Sequence, residues 1–386
     1  MTLSAPAVLS TSQAPSARPK VAVVFTRPET VLEDVGRAMH LADYRQALPA
    51  GVPVLLKINI SWQHWYPACS TTPWQLEGVI CTLLADGYRD LIPAQNGTVV
   101  VDSFVGEVRN GHKGVLDAYG LKSVHLDVPP QRWIPYTPKR KLLVLDKIFP
   151  EGLTIPDIFP GKSIIHLPTV KTHVFTTITG AMKNAFGGLL NRKRHWTHSV
   201  IHETLVDLLV IQKEIHAGLF AVMDGTFAGD GPGPRAMRWH VKNVLLASAD
   251  QVAIDAVAAR LMGFDPLSIT FIRLAHEAGL GVGDPRQIEV VGADISGVNF
   301  RFRATEETFA SRGQKLIYWG PLKPLEHWLL RTPIVPWAYF ASNAYYNGFW
   351  RTFIGRRRVQ KALRTPWGQL FQRYVREGAL RGPQAP

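Results

Sequence analysis

Short apolar runs of strand length alternate along this chain with amphipathic stretches of helix length. This alternation constrains the fold most, because a two-residue period and a 3.6-residue period bury different sets of side chains. KVAVVF (20–25) precedes ETVLEDVGRAMHLADY, where Val31, Val35, Met39 and Leu41 fall on or near one face. GVPVLLKINI (51–60) precedes TTPWQLEGVICTLLADGY, with a threonine cap and Pro73 at its start and Asp86-Gly87 at its stop. GTVVVDS (97–103) reads as a third strand. Strand, helix, strand, helix, strand predicts a parallel α/β sheet.

The pattern continues beyond this unit. VHLDV (124–128) and KLLVLDKI (141–148) read as strands, the latter as part of a hairpin, and KSIIHLPTV (162–170) reads as a buried strand. Between Ser199 and His216, Ile201, Leu205, Leu208, Ile211 and Ile215 recur at helical spacing. GLFAVMDG is a strand; VKNVLLASADQVAIDAVAARLMG is a strand and then a helix, capped by Ser248 or Asp250 and closed at Gly263. SITFIRLAHEAGLG and IEVVG add a helix and a strand. The expected fold is α/β, a mostly parallel sheet flanked by helices. Two α/β lobes around a cleft are the alternative arrangement.

Three segments follow from composition. Residues 1–19 lack a charged start and a long apolar core, which argues against a signal peptide and for a disordered lead. Residues 20–303 form the α/β body. From 304 to 386 the chain is crowded with aromatics and arginines: beyond Leu330, ten Lys or Arg stand against Glu377 alone, a net +9 of the chain's +13. The basic balance thus belongs to the arm, and nucleic-acid binding is disfavoured for the body. Leu363, Trp367, Leu370, Phe371 and Tyr374 form an apolar stripe flanked by Lys361, Arg364, Arg373 and Arg376. Such a stripe suits an anionic membrane surface contacted through residues 330–386, and equally an arm packed on the body or on a second subunit. The chain is expected in the cytoplasm, with a peripheral position at the inner membrane face as the arm's alternative. Two cysteines, Cys69 and Cys81, are too few for a disulfide framework, a thiolate zinc site or an iron–sulfur cluster.

Polar residues concentrate where strands end, which is where parallel sheets bind ligands. Lys57 and Asn59 alternate with apolar neighbours and fall on one side of their strand, and a lysine inside a buried strand needs a partner or a task. Thr71 and Thr72 open a helix and suit either an anion or ordinary capping. In KTHVFTTITGAMKNAFGG (171–188), Lys171 and His173 follow a buried strand. Thr179 and Lys183 share a helical face, Asn184 adjoins them, and Gly180, Gly187 and Gly188 allow close backbone approach. A lysine–histidine pair can neutralise a carboxylate or phosphate or move a proton; the alternative is a surface helix with solvated lysines.

Asp224 ends a strand before glycine-rich turns and suits a metal, a sugar hydroxyl, a lysine or the turn itself. Asp255 lies within an apolar helix and suits pairing with one of the lysines. His195, His198 and His202 have metal-ligand spacing but no accompanying carboxylate motif. No cofactor is designated by any of these motifs. No GxxxxGK[ST], GxSxG or early GxGxxG is present, which disfavours a P-loop nucleotidase, a serine hydrolase and a classical dehydrogenase.

Taken in order, KVAVVF, VLLKINIS…TTPWQLEGVICTLLADG, IIHLPTVKTHVFTTITGAMKNAFGG, VMDGTFAGDGPGPR and LLASADQVAIDAVAARLMG resemble the family called domain of unknown function 362, over about residues 20–300. The KTH…TGAMKNAFG segment is the most specific part. The resemblance implies an α/β fold rather than a particular reaction. Many relatives carry a ferredoxin-like cluster domain with several cysteines; this chain lacks those cysteines, which argues against an electron-transfer role carried by such clusters. His173 and Lys183, ten apart, are also similar in spacing to nickel-pincer lactate racemases, an analogy of spacing alone. The resulting expectation is a small anionic ligand in a cleft shared by Lys57, Asn59, Lys171, His173, Lys183, Asn184 and Asp224. A peripheral membrane accessory protein and a racemase-like isomerase are the alternatives.

Overall fold

A computed structural model describes residues 18–98, 101–304, 306, 309–325 and 344–382. Most of the expected disordered lead, and residues 326–343 of the arm, lie outside the described residues.

The strands are β1 Lys20–Phe25, β2 Val54–Ile58, β3 Leu91–Gln95, β4 Val124–His125, β5 Trp133–Tyr136, β6 Leu153–Pro156, β7 Ser163–Leu167, β8 Thr169–His173, β9 Thr177–Ile178, β10 Gly218–Asp230, β11 Arg238–Ser248 and β12 Glu289–Gly292. Ten of them form one sheet in the order β12-β1-β11-β10-β7-β2-β3-β4, with β8 and β9 attached beside β10. The pairs β12–β1, β10–β7, β7–β2, β2–β3 and β3–β4 are parallel, while β11 runs antiparallel to both β1 and β10. The protein is therefore α/β with a mostly parallel sheet, a single sheet rather than two lobes. β5 and β6 pair separately as an antiparallel ribbon.

Helices cover both faces, as a parallel sheet requires. One face carries Leu55, Ile164, Ala221 and Met223 under the helices Ile201–Ile215 and Gln251–Met262. The other carries Val54, Leu56, Phe220 and Val222 under the helices Val31–Leu41 and Pro73–Ala85. Asp250 caps its helix by accepting from Val252 and Ala253 N–H, and Gly263 closes it in a left-handed conformation, both as expected.

Two strand assignments are corrected. The third strand is LIPAQ (91–95), not GTVVVDS: Pro93 interrupts the apolar run and hides it, while Thr98 and Val101 form only an isolated bridge. KLLVLDKI is not a strand. Leu145–Ile148 is a helical turn, and the N–H groups of Leu143, Val144 and Leu145 donate to the carboxylate of Asp207. The hairpin partner of β6 is β5.

The C-terminal stripe is spent on the body. On the helix Pro366–Glu377, Trp367, Leu370, Phe371 and Tyr374 are buried in the second core. Trp367 lies 5.2 Å from Trp74 and donates to Asn243 Oδ1 at 2.7 Å.

Candidate functional site

β7 runs through Pro168 into β8, so one extended stretch carries His166, Lys171 and His173 along β10. β9 and the short helix Gly180–Asn184 then fold back over the sheet. The turn depends on Asp255, whose carboxylate accepts from Ala181 N–H at 2.5 Å and Met182 N–H at 3.1 Å. Gly180 sits at φ +69°, and a Cβ there would lie 2.3 Å from Asp255 Oδ2. Asp255 thus anchors a helix start and does not pair with a lysine. Burial pushes its carboxyl up to about 8 against the opposing pull of the two N–H groups.

Lys171, fully buried, donates to Cys69 O at 2.5 Å and Ser61 Oγ at 3.2 Å, so the loop after β2 holds its ammonium. Asn59 lies beyond the end of β2 and braces that loop by accepting from Ser61 Oγ at 3.0 Å. Lys183 lies over the Phe186 ring at 5.3 Å and has no ion-pair partner among the described residues. Burial, then the charges of Lys171 and Arg194, lower Lys183 to about 7. Burial lowers Lys171 to about 8. His173, also buried, is held well below the usual imidazole range by burial and by the charges of Lys183, His198 and Lys171. Its Nδ1 accepts from Phe175 N–H at 3.2 Å. The Thr179 hydroxyl beside this group is buried and makes no hydrogen bond.

Lys57 extends this cationic region. Burial and the neighbouring charge of Arg194 lower it to about 7, with Asp127 opposing. Its chain occupies space left by Gly188, at φ +125°, where a Cβ would lie 2.8 Å from Lys57 Cε. Gly187 approaches Asn96 in the same way: a Cβ there would lie 2.8 Å from its Oδ1. Asn184 ties these parts together by donating to Lys57 O at 2.9 Å and to His166 Nδ1 at 3.3 Å. His166 in turn donates from Nε2 to Gln212 Oε1 at 2.6 Å, a network that fixes a neutral imidazole.

Lys171, His173 and Lys183 therefore come together, and Asn184 joins that turn to the backbone of Lys57, whose ammonium donates to Ile58 O at 2.8 Å. Thr71, Thr72 and Asp224 do not join them. Thr72 caps the helix Pro73–Ala85 in a reciprocal pair with Gln75 and donates to Asp224 Oδ2; Thr71 donates to Leu167 O. Asp224 also accepts from Trp74 Nε1 at 3.1 Å and Thr226 N–H at 2.6 Å. It faces the core of Trp74, whereas Lys57 lies against Gly188 and Leu126 on the other face of the sheet. The shared cleft expected for these two residues is thus divided by the sheet itself.

Two cavities border the cluster. One, of about 520 Å³, is lined by His173, Phe175, Thr177, Phe302, Arg303 and Lys315. The other, of about 330 Å³, is lined by Asn96, Asp127, Trp133, Gly188, Lys193 and Arg194. Sequence reading passed over His166 and Arg194. A histidine within the buried run SIIHL was the available signal for the first; the second lies in a basic run that resembles any solvated surface turn. Among the described residues, no three His, Cys, Asp or Glu side chains converge to hold a metal, so the spacing of His195, His198 and His202 does not produce a metal centre.

The family pattern described as domain of unknown function (DUF362) matches residues 54–260, more than half of the chain. The chain belongs to the DUF362 family. The matched span contains Lys57, β7, β8, the KTH…MKN turn and Asp255, so the lysine cluster is built within the family domain. The helix carrying Trp367 lies outside it. The thylakoid-associated protein sll1697 of Synechocystis sp. (strain ATCC 27184 / PCC 6803 / Kazusa) is 28% identical over 120 residues, 30% of this chain. The match spans 37% of that protein's length. No solved structure matches the chain.

Proposed function

We propose that this DUF362 protein binds, or acts on, a small carboxylate or phosphate at the Lys57–Lys171–His173–Lys183 cluster. One observation carries the reading: Lys171, Lys183 and His173 lie close together, and among the described residues no carboxylate faces Lys183. Buried cations are costly without a counter-charge, and a small anion supplies one. The lysines, lowered towards neutrality, are suited both to anion binding and to proton transfer. The test is a thermal-shift and calorimetric titration with a panel of small carboxylates and phosphates, on wild type and Lys183→Gln. An anion that stabilises wild type and loses affinity for the variant supports the reading; a panel without effect on wild type defeats it.

A second reading, peripheral membrane association, draws on Phe349 and Phe353, which are 54% and 64% exposed beside basic residues, and on the thylakoid-associated relative. No helix among the described residues is long and apolar enough to cross a membrane. Sedimentation with anionic vesicles tests it: equal recovery with neutral and anionic vesicles rules out the charge-driven association.

A further inference from the structure

The loop after β2 and the C-terminal helices enclose another cavity, of about 420 Å³, distinct from the two beside the lysine cluster. Its aromatic walls are Trp62, Trp65 and Tyr66. Among the described residues its charged lining is cationic: Arg109 ends the helix Ser103–Arg109, Arg351 belongs to the helix Ala344–Gly355, and Arg356 begins the helix Arg356–Leu363. Among the described residues no carboxylate lines the cavity and none pairs with these three arginines.

His64 and Thr352 add further polar groups to the lining. Arg109 Nη1 donates to His64 Nδ1 at 2.8 Å. A guanidinium cannot accept, so the imidazole proton sits on Nε2, which is a donor. Burial, with Arg351 and Arg109 nearby, lowers His64 to about 4, and the ring stays neutral near pH 7. The cavity thus combines three guanidinium groups with a neutral N–H donor.

The walls are firmly built. Trp62 Nε1 donates to Asn347 Oδ1 at 2.6 Å, and Tyr66 OH donates to Met237 O at 2.6 Å. Buried Trp350 packs 5.9 Å from Trp62 and 5.4 Å from Tyr66, and Gly355 lies against it, where a Cβ would come within 2.8 Å of its ring. A single arrangement therefore brings the arginines of the arm to Arg109 of the body.

Planar guanidinium groups match a phosphoryl group with paired N–H donors, and aromatic walls favour an apolar or aromatic neighbour. A cavity of a few hundred Å³ accommodates a small organic molecule. We propose that this cavity binds a phosphomonoester with an apolar or aromatic organic part, held by Arg109, Arg351 and Arg356. Two sources share this chemistry: a soluble phosphate ester, and the headgroup of a phosphatidic-acid lipid. In the second case Phe349 and Phe353, exposed on the helix that carries Arg351, would enter the apolar phase.

The test uses the full chain. Tryptophan fluorescence follows a titration with phenyl phosphate, and sedimentation compares phosphatidylcholine vesicles with and without phosphatidic acid. Wild type is compared with R109Q/R351Q and, independently, with R356Q. All three arginines are solvent-accessible, and a melting curve checks that each variant is folded. We expect the double variant to bind at least about tenfold more weakly, the loss of one or more charge-assisted contacts. Phenyl phosphate binding lost in the variants identifies the soluble source; vesicle binding lost in them identifies the headgroup. A loss in R109Q/R351Q and in R356Q larger than any loss in Lys183→Gln separates this site from the lysine cluster; a loss in Lys183→Gln alone overturns the proposal. Absence of binding to both probes by wild type, or equal binding by wild type and both variants, overturns the proposal.

Discussion

The indole of Trp65 stacks on the ring of Phe371, centroids 4.1 Å apart and planes 11° from parallel. Trp65 belongs to the family domain and Phe371 to the helix beyond it. The loop that carries Trp65 also supplies Ser61 and Cys69 to Lys171. The C-terminal helix is thus a structural support of the loop over the candidate site.

Phe371→Ala should therefore destabilise the whole protein by about 3–5 kcal/mol, the cost of emptying a buried aromatic site. Urea unfolding followed by tryptophan fluorescence measures it. A loss below about 1 kcal/mol would show that the helix is only loosely attached.

Gly188→Ala adds a methyl at φ +125° into the space of Lys57 Cε and Leu126 Cδ1. Strain of this kind costs about 1–3 kcal/mol. The variant should melt earlier and also lose any small-anion stabilisation seen in wild type, because Lys57 has to move. A variant of wild-type stability contradicts the packing described here.

Asp255→Ala removes the acceptor of Ala181 and Met182 N–H and leaves both groups buried. Each orphaned donor costs about 1–3 kcal/mol. Asp255→Asn keeps one acceptor oxygen and should lose less. Hydrogen exchange at residues 181 and 182 should accelerate in the alanine variant before global unfolding does.

The lysines give a signed dependence on pH. Lys57 and Lys183 are lowered to about 7 and Lys171 to about 8, from an ordinary value of 10.5. Between these values the unfolded chain binds more protons, so these groups make stability rise with pH from about 7 towards 10.5. Asp255, raised from 3.8 to about 8, acts oppositely: its contribution is present at low pH and lost as pH rises through about 8. A Lys57→Met/Lys183→Met variant should therefore gain most over wild type near pH 7, with the gain shrinking towards pH 10. Denaturant titrations across that range would show it; a constant difference contradicts the lowered lysines.

Much of the architecture was legible in the sequence. Local period and punctuation located β1, β2, β7, β10 and β11, the helices over 201–215 and 251–262, and the caps Asp250 and Gly263. The buried lysine of β2 and the KTH…MKN turn stood out because cations are rare in apolar runs. β3 was missed because Pro93 mimics a strand breaker, although parallel pairing with β2 accommodates it opposite Leu56.

The sequence by itself determined that the chain makes an α/β sheet, that Lys57, Lys171, His173, Lys183 and Asn184 sit where strands end, and that the C-terminal stripe must be covered. Those properties depend on residues a few positions apart. Only the tertiary structure decided that Asp224 serves Thr72 and Trp74, about 150 positions earlier in the chain, and that Asp255 holds the turn at Ala181. It also decided that the body covers the stripe and that Arg351 meets Arg109. Strand order and strand parity set these partners. A one-residue difference in parity puts Lys57 and Asp224 on opposite faces of one sheet, and neither is visible until the strands are placed side by side.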